Sequence, residues 1–499
     1  MVARSALALA AGVVLSGAFE PVAQAWLIPG CLAGLVLSVR GLAARRGWLP
    51  GLAFGLGFFS THLVWMRAIG PDAWVSLSIV EGAYFGLLGF VLALLSRLPG
   101  WPVWTALAWV AIEQVRGQWP FGGLPWGRLA YASMDTPVAG WAPYVGSTGT
   151  SLVWALLGTG LAWALVSVRP SPLRTLSVAA GAVVVVMLPT AAPYAGERGV
   201  EITVAAVQGN VPGDGTDVLL DHRQVTANHV EATIGLASRV ADGEPAPDLV
   251  VWPENATAVD PFLDAEVNAG ISRASAAIGA PILVGAIVQG VEPDQVLNQG
   301  IVWESGTGGG DRYTKRHPVP YGEYIPFREQ LPWSANFGRL REIERDMLAG
   351  VRREPLRVGP ARVVDAICFD VAYDDGIYDQ VRAGGDLLVV QTSNAMFINT
   401  AQVEQQFAIS RLRAIETGKY VVVAATNGVS GIIDPSGEVV DRADVRSQSV
   451  LVRELTLSPG TAPGVRVGPA LGWAVLLLTG LVLIWAGTLG RLPYRRESD

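Results

Sequence analysis

Cysteine, histidine and evenly spread charge are scarce in this sequence of 499 residues. Its two cysteines, Cys31 and Cys368, cannot build a disulfide framework. The first lies in an apolar run and the second in a polar region, which also excludes a bridge between them. Four scattered histidines offer no metal-ligand spacing. There is no phosphate-binding loop and no internal repeat, so neither a metal nor a cofactor is expected. The formal net charge of −7 is distributed without a basic stripe, which argues against nucleic acid as a partner.

Apolar residues are abundant, and they are concentrated. From Met1 to about Pro189 the chain is dominated by Ala, Leu, Val, Gly and Trp; ordinary globular charge density returns from Glu197 to about Leu457, and a last apolar run covers Leu471 to Leu489. This predicts N-terminal membrane helices over 1–190, a folded domain over 197–457 and a C-terminal membrane helix over 471–490. Eight segments approach the length needed to cross a hydrocarbon core: Val2 to Phe19, Val22 to Val39, Trp48 to Arg67, Ala73 to Leu95, Trp101 to Val115, Gly146 to Val166, Leu173 to Pro189, and Leu471 to Leu489. The first also has the basic start, apolar middle and Ala-x-Ala end of a signal peptide, but the second apolar run follows at once and favours a retained helix. With eight alternating helices, Arg40, Arg45, Arg46, Arg97, Arg169, Arg174, Arg491, Arg495 and Arg496 all fall on one side. Basic loops mark the cytoplasm, so both termini are expected inside and the polar domain outside.

In the polar region, short apolar runs alternate with amphipathic ones, the pattern of an α/β domain. Strands are expected at Ile202 to Val211, Asp248 to Asn255, Ala280 to Ile287, Gln299 to Glu304, Val363 to Cys368, Asp386 to Asn394 and Tyr420 to Asp434. Helices are expected at His222 to Val240, Asp264 to Ala277 and Thr400 to Glu416.

Three reactive residues interrupt apolar contexts. Glu254 ends "LVVWPE", Lys315 sits in "RYTKRHPVPYGEYIP", and Cys368 ends "VVDAIC". Brought to one sheet edge, the carboxylate takes the thiol proton, the thiolate attacks a carbonyl, and the lysine stabilises the oxyanion. Taken singly, each has an ordinary reading: a solvated strand-end acid, a surface lysine in an Arg-flanked loop, and a small buried hydrophobe.

Over nearly its whole length the chain resembles the apolipoprotein N-acyltransferases. The motifs run in order: "WPEN" at Glu254, "YTKRHPVPYGEYIP" at Lys315 with Glu323, "ICFD" at Cys368, "TSNAMF" from Thr392, and in the apolar part "AWVAIEQVRGQWPFGGLPWGRLAY". The last of these separates the family from soluble nitrilases. The resemblance implies a polytopic helical membrane bundle carrying an extracytoplasmic nitrilase-like αββα domain in the bacterial inner membrane. It implies an acyl chain moved from a phospholipid donor to Cys368 as a thioester, then to the α-amino group of a diacylglyceryl apolipoprotein, by a monomeric enzyme. Glu254 would be the general base. Lys315 and the N–H after Cys368 would bind the oxyanion. Glu323 would orient the lysine, with Asp370 a second candidate for that task and Asn394 in support. Asp370 departs from the family, which usually has Glu there, and Pro318 and Tyr321 replace the commoner Leu and Phe. The stretch Tyr321 to Leu340, rich in Pro, Trp and Phe, reads either as a lipid-facing arm or as a packed surface loop. A water-using amidase remains the rival reading of the same triad.

Overall fold

The computed structural model describes residues 1–167, 172–214, 216, 222–330 and 338–489. Arg169, Arg491, Arg495 and Arg496, and residues 331–337 of the expected arm, lie outside the described residues. The chain divides into two compact units, one of Met1–Pro193 with the chain from Val467 onward, the other Tyr194–Arg466.

The first unit is helical: α1 (Val2–Ser16), α2 (Leu27–Val39), α3 (Ala44–His62), α4 (Pro71–Leu95), α5 (Trp101–Arg116), α6 (Ala142–Ser167) and α7 (Pro172–Ala191) precede the second unit, and α12 (Pro463–Leu489) follows it. Each of the eight apolar segments corresponds to one of these helices. Three of them, over Pro71–Leu95, Pro137–Ser167 and Pro463–Thr488, are long and apolar enough to cross a membrane by length and composition. Val2–Ser16, Leu27–Val39 and Ala179–Ala191 are shorter apolar helices. α3 is 19 residues long, but Arg45, Arg46 and four glycines dilute its hydropathy. Those glycines have a packing use. A Cβ at Gly51 would lie 2.2 Å from the carbonyl oxygen of Phe85, and one at Gly47 2.4 Å from that of Gly89, so α3 and α4 touch backbone to backbone.

α5 explains the Glu-x-x-Arg pattern. Glu113 and Arg116 lie three residues apart on one helix face. Glu113 Oε1 accepts from Trp109 Nε1 at 3.0 Å and from the Leu129 N–H at 2.9 Å. Arg116 Nη1 donates to the carbonyls of Leu124 and Trp126, both at 2.8 Å, and pairs with Glu81 at 3.4 Å. The pair thereby satisfies the backbone of the Pro-Trp loop, whose polar groups would be costly to bury unbonded.

The second unit contains two sheets. β1 (Glu201–Gln208), β2 (Leu249–Val251), β3 (Ile282–Gln289), β4 (Gln295–Glu304), β5 (Gly308–Thr314), β6 (Asp346–Met347) and β13 (Ser449–Thr456) form the first, in the order β13-β1-β2-β3-β4-β5 with β6 beside β4. β7 (Leu356–Val358), β8 (Ala361–Ile367), β9 (Leu387–Thr392), β10 (Val421–Ala425), β11 (Gly431–Ile433) and β12 (Val439–Arg442) form the second, in the order β12-β11-β10-β9-β8-β7. Each has three parallel strands at its heart, β1-β2-β3 and β8-β9-β10. The crossovers are α8 (His222–Ala241) and α9 (Ala265–Ile278) in the first sheet, α10 (Asp374–Arg382) and α11 (Ala401–Thr417) in the second.

The strand period of two sorts the side chains. In β1, Ile202, Val204 and Ala206 join Leu249, Leu283, Val363, Ile367, Val389 and Val422 in a core between the sheets. Ala205 and Val207 face the other way, into a layer with Val230, Leu236, Ile271 and Ala274 of α8 and α9. Helix, sheet, sheet, helix is the αββα order expected. Asp264 and Thr400 cap α9 and α11 with their side-chain oxygens, which fixes where those helices begin.

One local expectation needs correction, and two neighbouring features add to the picture. The run Tyr420 to Asp434 is two antiparallel strands, β10 and β11, because Thr426 to Ser430 turns the chain. The glycine-led β5 carries few residues of strand propensity and is held instead by its pairing with β4. Phe369 to Asp375 is a 3₁₀ turn, Cys368–Ala372, leading into α10.

Candidate active site

Cys368 stands at the end of β8 with φ +51°, a left-handed conformation unusual for a residue with a Cβ. Cys368 is half-buried at this sharp strand-to-turn corner, beside the end of the adjoining β9. Glu254 follows the end of β2 in the opposite sheet. Parallel strands of both sheets thus deliver these groups at their carboxyl ends, where α/β folds place their chemistry.

Neither Glu254 nor Lys315 is a solvated surface charge. Glu254 is 4% exposed and Lys315 is fully buried. Lys315 Nζ donates to Glu323 Oε1 at 2.6 Å and to Glu254 Oε1 at 3.3 Å. Burial works against its charge, but the carboxylates of Glu323 and Glu254, and Cys368 in its ionised form, outweigh burial and hold the ammonium well above the ordinary lysine range. Burial pushes the Cys368 thiol up to about 12, Glu254 adds to the rise, and Lys315 opposes it. At rest Cys368 is therefore a thiol, and any role as a nucleophile would need an acceptor for its proton.

Glu254 is aimed by three further contacts. Asn298 Nδ2 donates to Oε1 at 2.7 Å, the Ser393 N–H donates to Oε2 at 2.9 Å, and the Thr426 hydroxyl donates to the Glu254 carbonyl at 2.9 Å. Asn298 also receives the Lys315 backbone N–H on its carbonyl at 2.9 Å. One residue of β4 therefore registers the carboxylate and the lysine against each other. It was missed in the sequence, since a polar residue in "QVLNQGIVWE" has no local mark that separates an inward amide from a solvent-facing one.

The supporting residues divide. Glu323 touches Lys315 directly, and its other oxygen accepts the Val319 N–H at 2.8 Å, which anchors the loop it comes from. Asp370 acts elsewhere: its oxygens accept from the Tyr313 hydroxyl at 2.9 Å and from the N–H groups of Arg316 at 3.2 Å and His317 at 2.8 Å. It holds the backbone just past Lys315 and leaves the ammonium to the two glutamates. Asn394, at φ +55°, donates to Gln402 and Gln406 of α11 at 3.1 and 2.8 Å. These bonds fix the turn whose Ser393 N–H meets Glu254. No group of three or more potential metal ligands occurs among the described residues.

Two facing sheets with a glutamate, a lysine and a cysteine at their shared edge are the build of a carbon–nitrogen hydrolase domain, and that family matches residues 203–461. The apolipoprotein N-acyltransferase N-terminal domain matches residues 11–160. The apolipoprotein N-acyltransferase of Mycolicibacterium smegmatis is 33% identical over 96% of this chain and 84% of its own. That of Azotobacter vinelandii is 30% identical over 95% of this chain and 93% of its own. A carbon–nitrogen hydrolase from Helicobacter pylori, known as a crystal structure, aligns at 17% identity with a TM-score of 0.38, covering 51% of this chain and 89% of that one. The chain belongs to the apolipoprotein N-acyltransferase family.

Proposed function

We propose that this protein moves a fatty acyl chain from a membrane phospholipid to Cys368, and from there to the α-amino group of the S-diacylglyceryl cysteine that begins an apolipoprotein. The observation that carries this reading is the buried Lys315, bonded to both Glu254 and Glu323 and electrostatically coupled to Cys368. The family matches in both units support the choice of substrates.

In the first half-reaction, Glu254 takes the Sγ proton as sulfur attacks the ester carbonyl carbon. The oxyanion is met by the Lys315 ammonium and the N–H of Phe369. Collapse breaks the ester C–O bond, and protonated Glu254 returns its proton to the departing lysophospholipid alkoxide. In the second half, the lipoprotein amine attacks the thioester carbon, Glu254 accepts the amine proton, and that proton goes back to the leaving sulfur. Two lipid-anchored substrates gain effective concentration from sharing one membrane.

The apolar helices of the first unit fit an integral protein of the bacterial cell membrane acting as a monomer. In this reading all eight helices span, the catalytic unit is extracytoplasmic and both termini are cytoplasmic. The short helices reach across by thinning the bilayer or by burial against longer neighbours.

The test is mass spectrometry of a lipoprotein co-expressed with the full chain in cells that otherwise leave its N-terminus diacylated. The wild type should add one amide-linked acyl chain to the N-terminal cysteine, and Cys368→Ala should add none. A diacylated product from wild type, with free fatty acid released, would favour the amidase.

A further inference from the structure

Beneath the triad lies a buried acid that the acyl-transfer scheme does not use. Asp365 lies within β8 and points between the sheets, in register with Val363 and Ile367 of the inter-sheet core. It is fully buried, and neither of its carboxylate oxygens has a hydrogen-bond partner. Its backbone is satisfied separately: Gln380 of α10 accepts its N–H at 3.0 Å and donates to its carbonyl at 2.9 Å. An ionised carboxylate left in this way would carry the full cost of a buried, unpaired charge.

The nearby Gln391 of β9 is also fully buried, and its Oε1 is likewise without a donor. Its amide cannot be turned round. Nε2 donates to the carbonyl of Trp252, at 2.5 Å, and to that of Leu283, at 3.4 Å, so the flipped amide would set oxygen against two oxygens. Asp365 Oδ2 and Gln391 Oε1 then crowd one point beside Gly300 of β4, at 2.1 and 2.5 Å from where a Cβ on that glycine would stand. Both acceptors line that point, and neither has a donor. One proton resolves the conflict.

We propose that Asp365 is a neutral carboxylic acid in the folded protein, that its proton bonds Gln391 Oε1, and that it thereby acts as a positioning residue for Glu254. The route is short: the fixed amide of Gln391 holds the carbonyl of Trp252, two residues before Glu254, as the chain leaves β2. Burial holds Asp365 well above the ordinary carboxylate range, and the charge of Asp370 adds to this; the Ala366 N–H, whose geometry falls outside a hydrogen bond to the carboxylate, offsets only a small part. Tyr313 of β5 is the other titratable group that bears on it. Gln380, Gln391 and Gly300, from the remaining neighbouring elements, are uncharged. The positioning role rests on Glu254 being the general base; the protonation state does not.

The test uses the full chain in detergent or lipid nanodiscs. At neutral pH, the infrared difference spectrum between wild type and Asp365→Asn should contain a protonated-carboxyl C=O band that shifts in D2O; a difference confined to carboxylate bands would overturn the proposal. Asp365→Asn keeps a donor towards Gln391, so as the conservative rescue it should hold kcat within about threefold, whereas Asp365→Val should lower kcat at least about tenfold with KM little changed. Gln391→Leu should cause the same loss, and the Asp365→Val, Gln391→Leu double variant no more than either alone. Additive losses, or equal kcat in Asn and Val variants, would overturn the positioning role. Folding takes up a proton at this site once the unfolded chain is ionised, so wild type loses stability as pH rises above the ordinary aspartate range. The Tm advantage of Asp365→Asn should therefore grow from about pH 5 to pH 8. A constant or shrinking difference would contradict the neutral acid even if the Val variant fails to fold. If Glu254→Gln proves active while the infrared band is present, the general-base reading fails and the buried acid stands.

Discussion

Asp370 Oδ1 accepts the backbone N–H of His317 at 2.8 Å and so ties the turn that carries Cys368 to the chain leaving Lys315. With the bonds from Arg316 and Tyr313, one carboxylate organises three donors. Asp370→Ala leaves those donors to find other partners in a buried site, a cost of roughly 3 kcal/mol in unfolding free energy. It should also lower kcat more than KM, because the lysine shifts while the substrate surfaces remain. Asp370→Glu restores the residue usual in the family but adds a methylene to a packed corner, for about 1–2 kcal/mol. Denaturant titration and steady-state kinetics on both variants check this; an Ala variant as stable and active as wild type would contradict it.

Glu254→Gln keeps the side-chain volume and removes the proton acceptor, so acyl transfer should fall by about 10² to 10⁴. The same change removes a negative charge that raises the Cys368 thiol pKa. Alkylation of Cys368 by iodoacetamide should therefore be as fast as in wild type or faster, while turnover is lost. In wild type, with the thiol pushed up to about 12, alkylation should still climb with pH at about pH 9. A plateau below pH 8 would mean a preformed thiolate with no need of a base.

Lys315→Met strips the shared cation from Glu254 and Glu323. Destabilisation of the order of 3 kcal/mol is expected from uncompensated buried charge, together with loss of turnover. Adding Glu323→Gln should recover much of the stability and none of the activity. Thermal unfolding with parallel activity assays separates the two effects; recovery of activity in the double variant would deny Lys315 its oxyanion role.

Glu254, Lys315 and Cys368 were legible because each breaks an apolar context where a strand ends, and Glu323 because it travels in the same motif as the lysine. Asn298 and Asp365 were not. Both are strand residues whose inward direction is set by pairing register: β3 with β4 turns Asn298 towards Glu254, and β8 with β9 sets Asp365 beside the Gln391 strand. A one-residue slip would face them outward with the same letters. The α/β alternation and the caps at Asp264 and Thr400 could be read locally, whereas the glycine-led β5 shows little strand propensity of its own and is set by the hairpin it forms with β4. The role of Asp370 needed the third dimension for the same reason, since its acceptors' partners lie more than fifty residues away.

For topology, a phosphatase reporter joined after Pro193 of the full N-terminal unit should be active outside the cytoplasm, and one joined after Leu489 should be inactive there, following the Arg-bearing loops. Cytoplasmic placement of the first fusion would overturn the eight-span reading.

The central claim is that Cys368 holds an acyl group long enough to hand it to an amine. Purified protein given phospholipid alone should accumulate a fatty acyl adduct on Cys368, visible by intact-mass and peptide mass spectrometry and cleaved by neutral hydroxylamine. A diacylated lipopeptide with a free α-amine should discharge it, and the same peptide with a blocked amine should leave it in place. Steady release of free fatty acid, with no adduct at any time, would contradict the account and leave a hydrolase.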